Sequence, residues 1–106
     1  MKEVRDGGWE SRTKRELMQR ARISRLWSAY YKLDHIVPIA LGGAPTDESN
    51  VELQPWPEAR LKDKLESHLH RLVCCGKVEL RDARRDIAED WRKAQETYAK
   101  LRCSRI

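Results

Sequence analysis

The 106-residue chain has no phenylalanine, only three cysteines and no apolar run near the roughly 20 residues that a membrane-spanning helix needs. Without phenylalanine, the core has to be built from Leu, Ile, Val, Ala and the four tryptophans. The N-terminus is too polar for a secretory signal, and neither internal repeats nor low-complexity tracts occur. We therefore expect one soluble domain over residues 1–106, with a modest core and no membrane partner.

The cysteines lack the paired spacing of zinc-finger ligands, and their odd number leaves at least one unpaired within the chain. A disulfide from Cys103 to Cys74 or to Cys75 would indicate an oxidising compartment, whereas free buried thiols are the alternative. The sequence leaves the location unknown. A cytoplasmic location is favoured, with a mature secreted form as the alternative.

Positive charge is concentrated in the two ends of the chain, although the net charge is only +5. Residues 1–33 contain nine Lys or Arg against four acidic residues, and residues 76–106 contain nine against six. Residues 34–56 contain four acidic residues and neither Lys nor Arg. An acidic centre between basic flanks suits a cation site between phosphate-binding surfaces. The alternative is a solvated charged surface with no partner.

The chemistry is concentrated in residues 34–63, which begin with Asp34 and His35 at the end of a short apolar strand. Because side chains alternate along a strand, these two groups can serve different roles, one toward a metal and one toward a proton. Gly42 and Gly43 are expected to turn the chain through positive φ. The amide of Asn50 can bond backbone groups across this loop and fix the segment that carries His35.

The segments around this loop predict a strand, a loop, a second strand and a helix. Val51–Gln54 reads as the returning strand, and Pro57 suits the first turn of a helix over residues 57–75 that Gly76 ends. Its expected apolar stripe consists of Leu61, Leu65, Leu69 and Leu72 or Val73.

The flanks are predicted to be helical. Residues 1–10 are expected to form a loose arm, followed by a helix to about residue 29 that Ser11 or Thr13 caps. A C-terminal helix is predicted over about residues 79–102. Core-facing residues are expected to be Leu17, Ala21, Ile23, Leu26 and Trp27 in the first helix, and Leu80, Ala83, Ile87, Trp91, Ala94, Tyr98 and Leu101 in the last. Trp56 and Trp91 are expected to be core or hinge aromatics rather than platforms for base stacking.

The order and spacing of Asp34-His35, Gly42-Gly43 and Asn50 resemble the HNH endonucleases, a branch of the ββα-metal nucleases. The resemblance implies an α+β fold in which a two-stranded antiparallel hairpin and a helix, about residues 31–75, form the ββα-metal motif between N-terminal and C-terminal helices. It also implies metal-dependent hydrolysis of DNA, with His35 as the general base, Asn50 as a second catalytic-motif residue and Asp34 as a metal ligand.

One position departs from the family pattern. The family's usual helix ligand falls on Ala59, which has no ligand atom. The resemblance offers Asp63 as the replacement, because it lies one helical turn further along the same face. Glu58 and Glu66 are the rival ligands.

Carboxylate ligands favour Mg²⁺, with Mn²⁺ or Zn²⁺ as alternatives. DNA is the expected partner, and the residues expected to contact it are Arg12, Lys14, Arg15, Arg22, Arg25 and Lys62. Two alternative functions stay open: a degenerate ββα module that binds nucleic acid without cleaving it, and a secreted antibacterial DNase toxin held by an immunity protein. Neither that protein partner nor the oligomeric state can be read from the sequence.

Overall fold

A two-stranded antiparallel hairpin and four α-helices make up residues 8–104, the part of the chain that this computed structural model describes. The predicted α+β class is confirmed. In chain order the elements are α1 (Trp9–Arg20), β1 (Tyr31–His35), β2 (Val51–Pro55), α2 (Trp56–Cys74), α3 (Leu80–Glu89) and α4 (Trp91–Tyr98). Three short 3₁₀ helices connect them, at Arg25–Tyr30, Ile39–Leu41 and Glu48–Asn50.

The hairpin and the helix after it follow the predicted order. β1 and β2 pair in a register that places Asp34 opposite Glu52 and His35 opposite Val51. Pro57 lies in the first turn of α2, where its missing N–H costs no helical hydrogen bond. Gly76 follows the end of α2 with φ of 81°, as expected for a glycine that ends a helix.

The apolar core lies between the second half of α2 and the pair α3 and α4. Its buried residues are Leu41, Leu65, Leu69, Leu72, Ala83, Ile87, Trp91, Ala94 and Tyr98. Leu61, which we expected in the α2 stripe, is instead 47% exposed. Lys62 takes the buried position one helical turn before Leu65, so the first half of α2 packs a charged group where its second half packs leucine.

The N-terminal helix is shorter than predicted. α1 begins at Trp9, after Gly8 as its cap, and ends at Arg20; residues 1–7 of the predicted arm lie outside the described residues. Arg22 has φ of 59°, and the N–H of Ile23 bonds the carbonyl of Met18 at 2.9 Å, which is a helix-ending Schellman motif without its usual glycine. The chain therefore turns before the residues that we expected to continue the helix.

The early end of α1 overturns part of the predicted core. Leu26 is 93% exposed and Trp27 is 61% exposed, because both lie in the 3₁₀ helix Arg25–Tyr30 rather than on a core-facing α-helix. Ser24 begins this 3₁₀ helix, and its side chain accepts a hydrogen bond from the N–H of Leu26. The predicted burial of these two side chains is wrong. The same holds for three other residues that were expected to face the core and are exposed: Ala21, Leu80 and Leu101.

The predicted C-terminal helix is two helices. Asp90 lies between α3 and α4 with extended backbone angles, and its side chain accepts a hydrogen bond from the N–H of Lys93 at 3.1 Å. An aspartate in this position caps a new helix more favourably than it continues an old one. Trp91 is nevertheless buried, as predicted, whereas Trp56 is partly exposed.

A disulfide joins Cys75, just after α2, to Cys103, beyond α4. This is one of the two pairings that the sequence left open, and Cys74 is the exposed free thiol. Among the helices of residues 8–104, none combines the length and the apolar character that a membrane span requires.

Candidate metal and nuclease site

Asn50 fixes the loop between the two strands, as its position predicted. Its Oδ1 accepts a hydrogen bond from the N–H of Val37 at 2.9 Å, and its Nδ2 donates to the carbonyls of Val37 and Ala44, both at 3.0 Å. Three bonds from one side chain hold the start of the loop against its middle. The segment that follows His35 is therefore held at a defined position relative to β2.

The two glycines of the loop are needed for different reasons. Gly42 has φ of 89°, in the left-handed region that glycine tolerates best. Gly43 does not have positive φ, which corrects the expectation that both would; instead, a Cβ on Gly43 would lie 1.8 Å from the carbonyl oxygen of Val37. Arg84 of α3 donates from Nε to the carbonyl of Leu41 at 2.6 Å and so ties the loop to the helical core.

His35 is half-buried, and its ring is oriented by one backbone contact. Its Nε2 lies 2.9 Å from the carbonyl oxygen of Pro45. A carbonyl can only accept, so we assign the hydrogen of the neutral ring to Nε2, which leaves Nδ1 as its acceptor nitrogen. Nδ1 is therefore the atom of His35 that can take a proton.

Asp34 is buried and is paired with a buried lysine. The Nζ of Lys62 lies 2.6 Å from Oδ2 of Asp34, and it also donates to the carbonyls of His35 at 2.8 Å and Ile36 at 3.4 Å. The side chain of Lys62 is only 1% exposed. This burial overturns the expectation that Lys62 contacts nucleic acid. The signal was present in the sequence, because residue 62 falls on the helix face that also carries Ala59 and Leu65.

Three carboxyl groups converge at this point. Single oxygen atoms of Asp34, Asp63 and Glu66 all lie within 4.8 Å of one another. Of the candidate helix ligands, Asp63 and its rival Glu66 are thus placed beside Asp34. Glu58 is not in this group, since its carboxylate accepts from Arg92 at 2.6 Å. Ala59, at the family's usual ligand position, is fully buried.

Lys32 is a second cationic side chain beside the cluster. No pattern in the sequence indicated that Lys32 belongs to the site. Its Nζ lies 3.2 Å from Oδ1 of Asp63 and 3.8 Å from Oδ1 of Asp34. Burial, and then the negative charge of Asp34, raise the pKa of Glu66 from 4.5 to about 7, although Lys62 opposes the shift. Near pH 7 Glu66 is therefore about half protonated, and it adds its full negative charge to the cluster only at higher pH.

The cluster suits a hard divalent cation. It offers carboxylate oxygens, which Mg²⁺ and Mn²⁺ prefer, and no free thiol. It opens into a shallow pocket of about 200 Å³, the site pocket, whose lining includes Lys32, Asp34, His35 and Glu66. His35 therefore faces the same small volume as two of the three carboxyl groups, although it follows Asp34 directly in the strand.

The expected phosphate-contacting residues of the N-terminal segment are not among those that line the site pocket. Arg15, Arg22 and Arg25 are exposed, as is Arg12. Lys14 is half-buried, and its Nζ donates to the carbonyl of Ser28 at 2.7 Å. Lys14, Arg15 and Arg25 line one pocket of about 350 Å³, so three of the predicted residues are brought together.

No family model matches the chain, and neither a curated protein nor a solved structure gives a significant match. Three features of the residues themselves bear on function: the loop that Asn50 fixes, the oriented ring of His35 and the carboxyl groups around Asp34.

Proposed function

We propose that the protein is a metal-dependent endonuclease of the HNH type that hydrolyses DNA phosphodiester bonds. The observation that carries the proposal is the shared site pocket, in which His35 adjoins the carboxyl groups of Asp34 and Glu66. The ββα arrangement of β1, β2 and α2 supports it, and so does the loop that Asn50 pins. Hydrolysis of a phosphodiester needs a base for water and a means to stabilise charge, and these residues offer both.

In this proposal His35 is the general base. Nδ1 takes a proton from the water that attacks phosphorus, while Nε2–H donates to Pro45 and keeps the ring oriented. The contact with the Pro45 carbonyl also stabilises the positive ring that proton uptake produces. Asn50 acts at a distance by fixing the loop on which this contact depends.

The residues that would hold the cation are Asp34, Asp63 and Glu66, with Mg²⁺ favoured and Mn²⁺ or Zn²⁺ as alternatives. When bound, a divalent cation supplies charge neutralisation at the phosphoryl group and at the leaving oxygen. Lys62 holds Asp34 in place through Oδ2. The ammonium of Lys32 lies near one carboxylate oxygen of Asp63 and one of Asp34. A cation bound to these oxygens would therefore displace the ammonium or lie beside it.

The test is relaxation of supercoiled plasmid with Mg²⁺ or Mn²⁺ and with EDTA. The parent protein should nick or cleave DNA only with the cation. His35→Ala should lose roughly 10² to 10⁴-fold in rate, the usual contribution of a general base. His70→Ala, an exposed histidine on α2, is the control and should keep full activity. Cleavage that persists in EDTA, or a fully active His35→Ala variant, would refute the proposal.

A second candidate function is a ββα module that binds nucleic acid without cleaving it. The observation that favours it is Lys62, whose ammonium bonds Asp34 and two backbone carbonyls and so makes contacts that a bound cation would make. The same plasmid assay separates the two candidates: binding in a gel-shift experiment without relaxation, with Mg²⁺ or Mn²⁺ present, would select the module.

The disulfide supports export of the protein to an oxidising compartment, and thereby the alternative of an antibacterial DNase. Disulfides persist mainly outside the reducing cytosol. The Cys75–Cys103 bond is therefore better suited to a secreted protein than to the cytoplasmic location that the sequence favoured. The discriminating measurement is the thiol content of the protein isolated from its native cell: three free thiols would reject this reading.

A further inference from the structure

Three pockets of the molecule adjoin one another, because neighbouring pockets share lining residues, and we call the three together the groove. Lys14 lines the pocket with Arg15 and Arg25, which we call the basic pocket, and also a second one with Tyr31 and Trp56, which we call the aromatic pocket. Lys32 lines both the aromatic pocket and the site pocket. The groove thus runs from the N-terminal helix, across the start of β1, to the carboxyl cluster.

The basic pocket and the aromatic pocket together combine cationic side chains with aromatic rings, and Glu10 is the one acidic residue in their lining. The basic pocket and the aromatic pocket each have a volume of about 350 Å³. In the aromatic pocket, Tyr31 and Trp56 are both partly exposed, and the Nζ of Lys32 lies 5.5 Å from the centre of the Trp56 ring. Cations that track a backbone, together with rings that accept bases, are the features of grooves that bind single-stranded nucleic acid.

A line of aromatic rings extends the groove to the surface. Trp27 and Tyr30 meet edge to face with ring centres 6.5 Å apart, and Tyr30 meets Tyr31 in the same way at 5.3 Å. Trp27 is 61% exposed and Tyr30 is 47% exposed, together with the adjacent Leu26. Large apolar side chains that are exposed next to one another are typical of interaction surfaces.

Charge complementarity selects the class of partner. Residues 9–33 contain seven Lys or Arg and two acidic residues, and Arg25 directly precedes the exposed Leu26 and Trp27. A polyanion is favoured over an apolar or basic protein surface by this excess of positive charge. Bases within a duplex stack on each other and cannot present their faces to Trp27, Tyr31 or Trp56, whereas unpaired bases can.

We propose that the groove binds an unpaired strand of nucleic acid, with bases stacked on Trp27 and in the aromatic pocket and phosphates along Lys14, Arg15 and Lys32. This proposal rests on the proposed function, because it takes the carboxyl cluster at one end of the groove to be the nuclease site. It names single-stranded or locally unpaired DNA as the substrate class. In this arrangement Trp27 is the outermost stacking residue. Lys32 contacts the strand where the aromatic pocket adjoins the site pocket.

The test is fluorescence anisotropy in EDTA, so that no cleavage occurs. The probe is a labelled oligothymidylate of about 12 nucleotides, within the length that small single-strand-binding domains cover. A hairpin duplex of similar charge and an oligouridylate are the comparison probes. The parent should bind the oligothymidylate at least about tenfold more tightly than the duplex, and the oligouridylate arm reports whether DNA is preferred over RNA.

Two substitutions at one exposed position separate stacking from apolar contact. Trp27→Ala and Trp27→Leu should both weaken binding of the oligothymidylate by about tenfold, a loss in the range expected for one stacked base, and should leave duplex binding unchanged. Leu80→Ala, a partly exposed apolar residue on α3 outside the three pockets, is the matched control and should have no effect. Trp27 is exposed enough for both variants to fold.

The outcomes distinguish this inference from the proposed function. Equal affinity for single strand and duplex, or full affinity in Trp27→Ala, would overturn the unpaired-strand proposal even if plasmid is cleaved. Single-strand preference that Trp27→Ala abolishes would uphold it even if no cleavage occurs with Mg²⁺. Retained affinity in Trp27→Leu but not in Trp27→Ala would indicate an apolar contact rather than base stacking, which would also overturn it.

Discussion

The ammonium of Lys62 and the carboxylate of Asp34 form an ion pair that is almost completely closed to solvent. Nζ and Oδ2 are 2.6 Å apart, and the two side chains are 1% and 2% exposed. The carbonyls of His35 and Ile36 complete the surroundings of the ammonium. The lysine therefore neutralises the central carboxylate of the site and also connects α2 to the end of β1.

Removing this lysine should be strongly destabilising, because it leaves Asp34 charged and buried. We expect Lys62→Met to lower the free energy of unfolding by about 3 to 5 kcal/mol, the range for breaking one side of a buried pair. The measurement is urea denaturation. Mn²⁺ should restore more stability to this variant than to the parent, because a bound cation replaces the lost charge.

The matched control for this prediction is Lys64→Met, which removes an exposed lysine from the same helix. Its effect should stay within about 0.5 kcal/mol. A Lys62→Met variant as stable as the control would show that the buried pair contributes little and that Asp34 is readily protonated or solvated.

The loop should depend on the amide of Asn50. Asn50→Ala leaves the N–H of Val37 without its partner and removes two further bonds, so we expect a loss of about 1 to 3 kcal/mol in unfolding free energy. Amide exchange at Val37 should accelerate as well. Ser49→Ala is the control, since that hydroxyl bonds only the exposed Asp47. Unchanged exchange at Val37 in Asn50→Ala would contradict the prediction.

Metal affinity should identify the helix ligands. Titration of the protein with Mn²⁺ by calorimetry at about pH 8, where Glu66 has lost its proton, should give a Kd at least about tenfold weaker for Asp63→Asn and for Glu66→Gln. Glu58→Gln should bind as the parent does, because the Glu58 carboxylate pairs with Arg92. If Glu58→Gln bound Mn²⁺ more weakly than the parent and Glu66→Gln bound it equally well, Glu58 rather than Glu66 would be the ligand.

Alkaline pH should destabilise the fold through Tyr98. Burial, and then the hydrogen bond that its hydroxyl donates to Asp86, raise the pKa of Tyr98 from 10.0 to about 12. The folded state therefore retains a proton that the unfolded state loses, so stability is full below pH 10 and falls as the pH rises toward about 12. As the pH rises over this interval, the parent should lose unfolding free energy relative to Tyr98→Phe, which has no phenol proton to lose.

Reduction of the disulfide should weaken the whole domain. Cys75 and Cys103 are separated by 28 residues in the sequence. In the chain-entropy treatment, loss of a cross-link that closes a loop of this size lowers the free energy of unfolding by about 3 to 4 kcal/mol. The Cys103→Ser variant should match the reduced parent in thermal denaturation, and Cys74→Ser should match the oxidised parent. A melting temperature that is insensitive to reductant would contradict the prediction.

The parts of the fold that follow from local chemistry were predictable. Gly42 and Pro57 specify the turn of the loop and the start of α2 without reference to distant residues. The bonds of Asn50 belong to the same class, because its partners Val37 and Ala44 lie within one loop.

The failures occurred where one residue took a role that its type makes uncommon or that depends on packing. Arg22 ends α1 in a conformation usually left to glycine, so no signal in the sequence stopped the predicted helix. Asp90 could equally be an exposed helix residue or a cap. The helix face of Lys62 was readable from the sequence, but the carboxylate of Asp34 that pairs with it there was not, and spacing alone could not choose between Asp63 and its rivals Glu58 and Glu66.

The close contact at Gly43 has a genetic consequence. Every missense change in this codon adds at least a Cβ, which would meet the Val37 carbonyl oxygen at 1.8 Å and the Asn50 amide at 3.0 Å. At Gly42 the nearest obstacle is the end of the flexible Arg84 side chain, although positive φ still disfavours other residues. In a complete mutational scan we therefore expect codon 43 to tolerate no amino acid but glycine, even in a selection that ignores activity and measures only abundance of the folded protein.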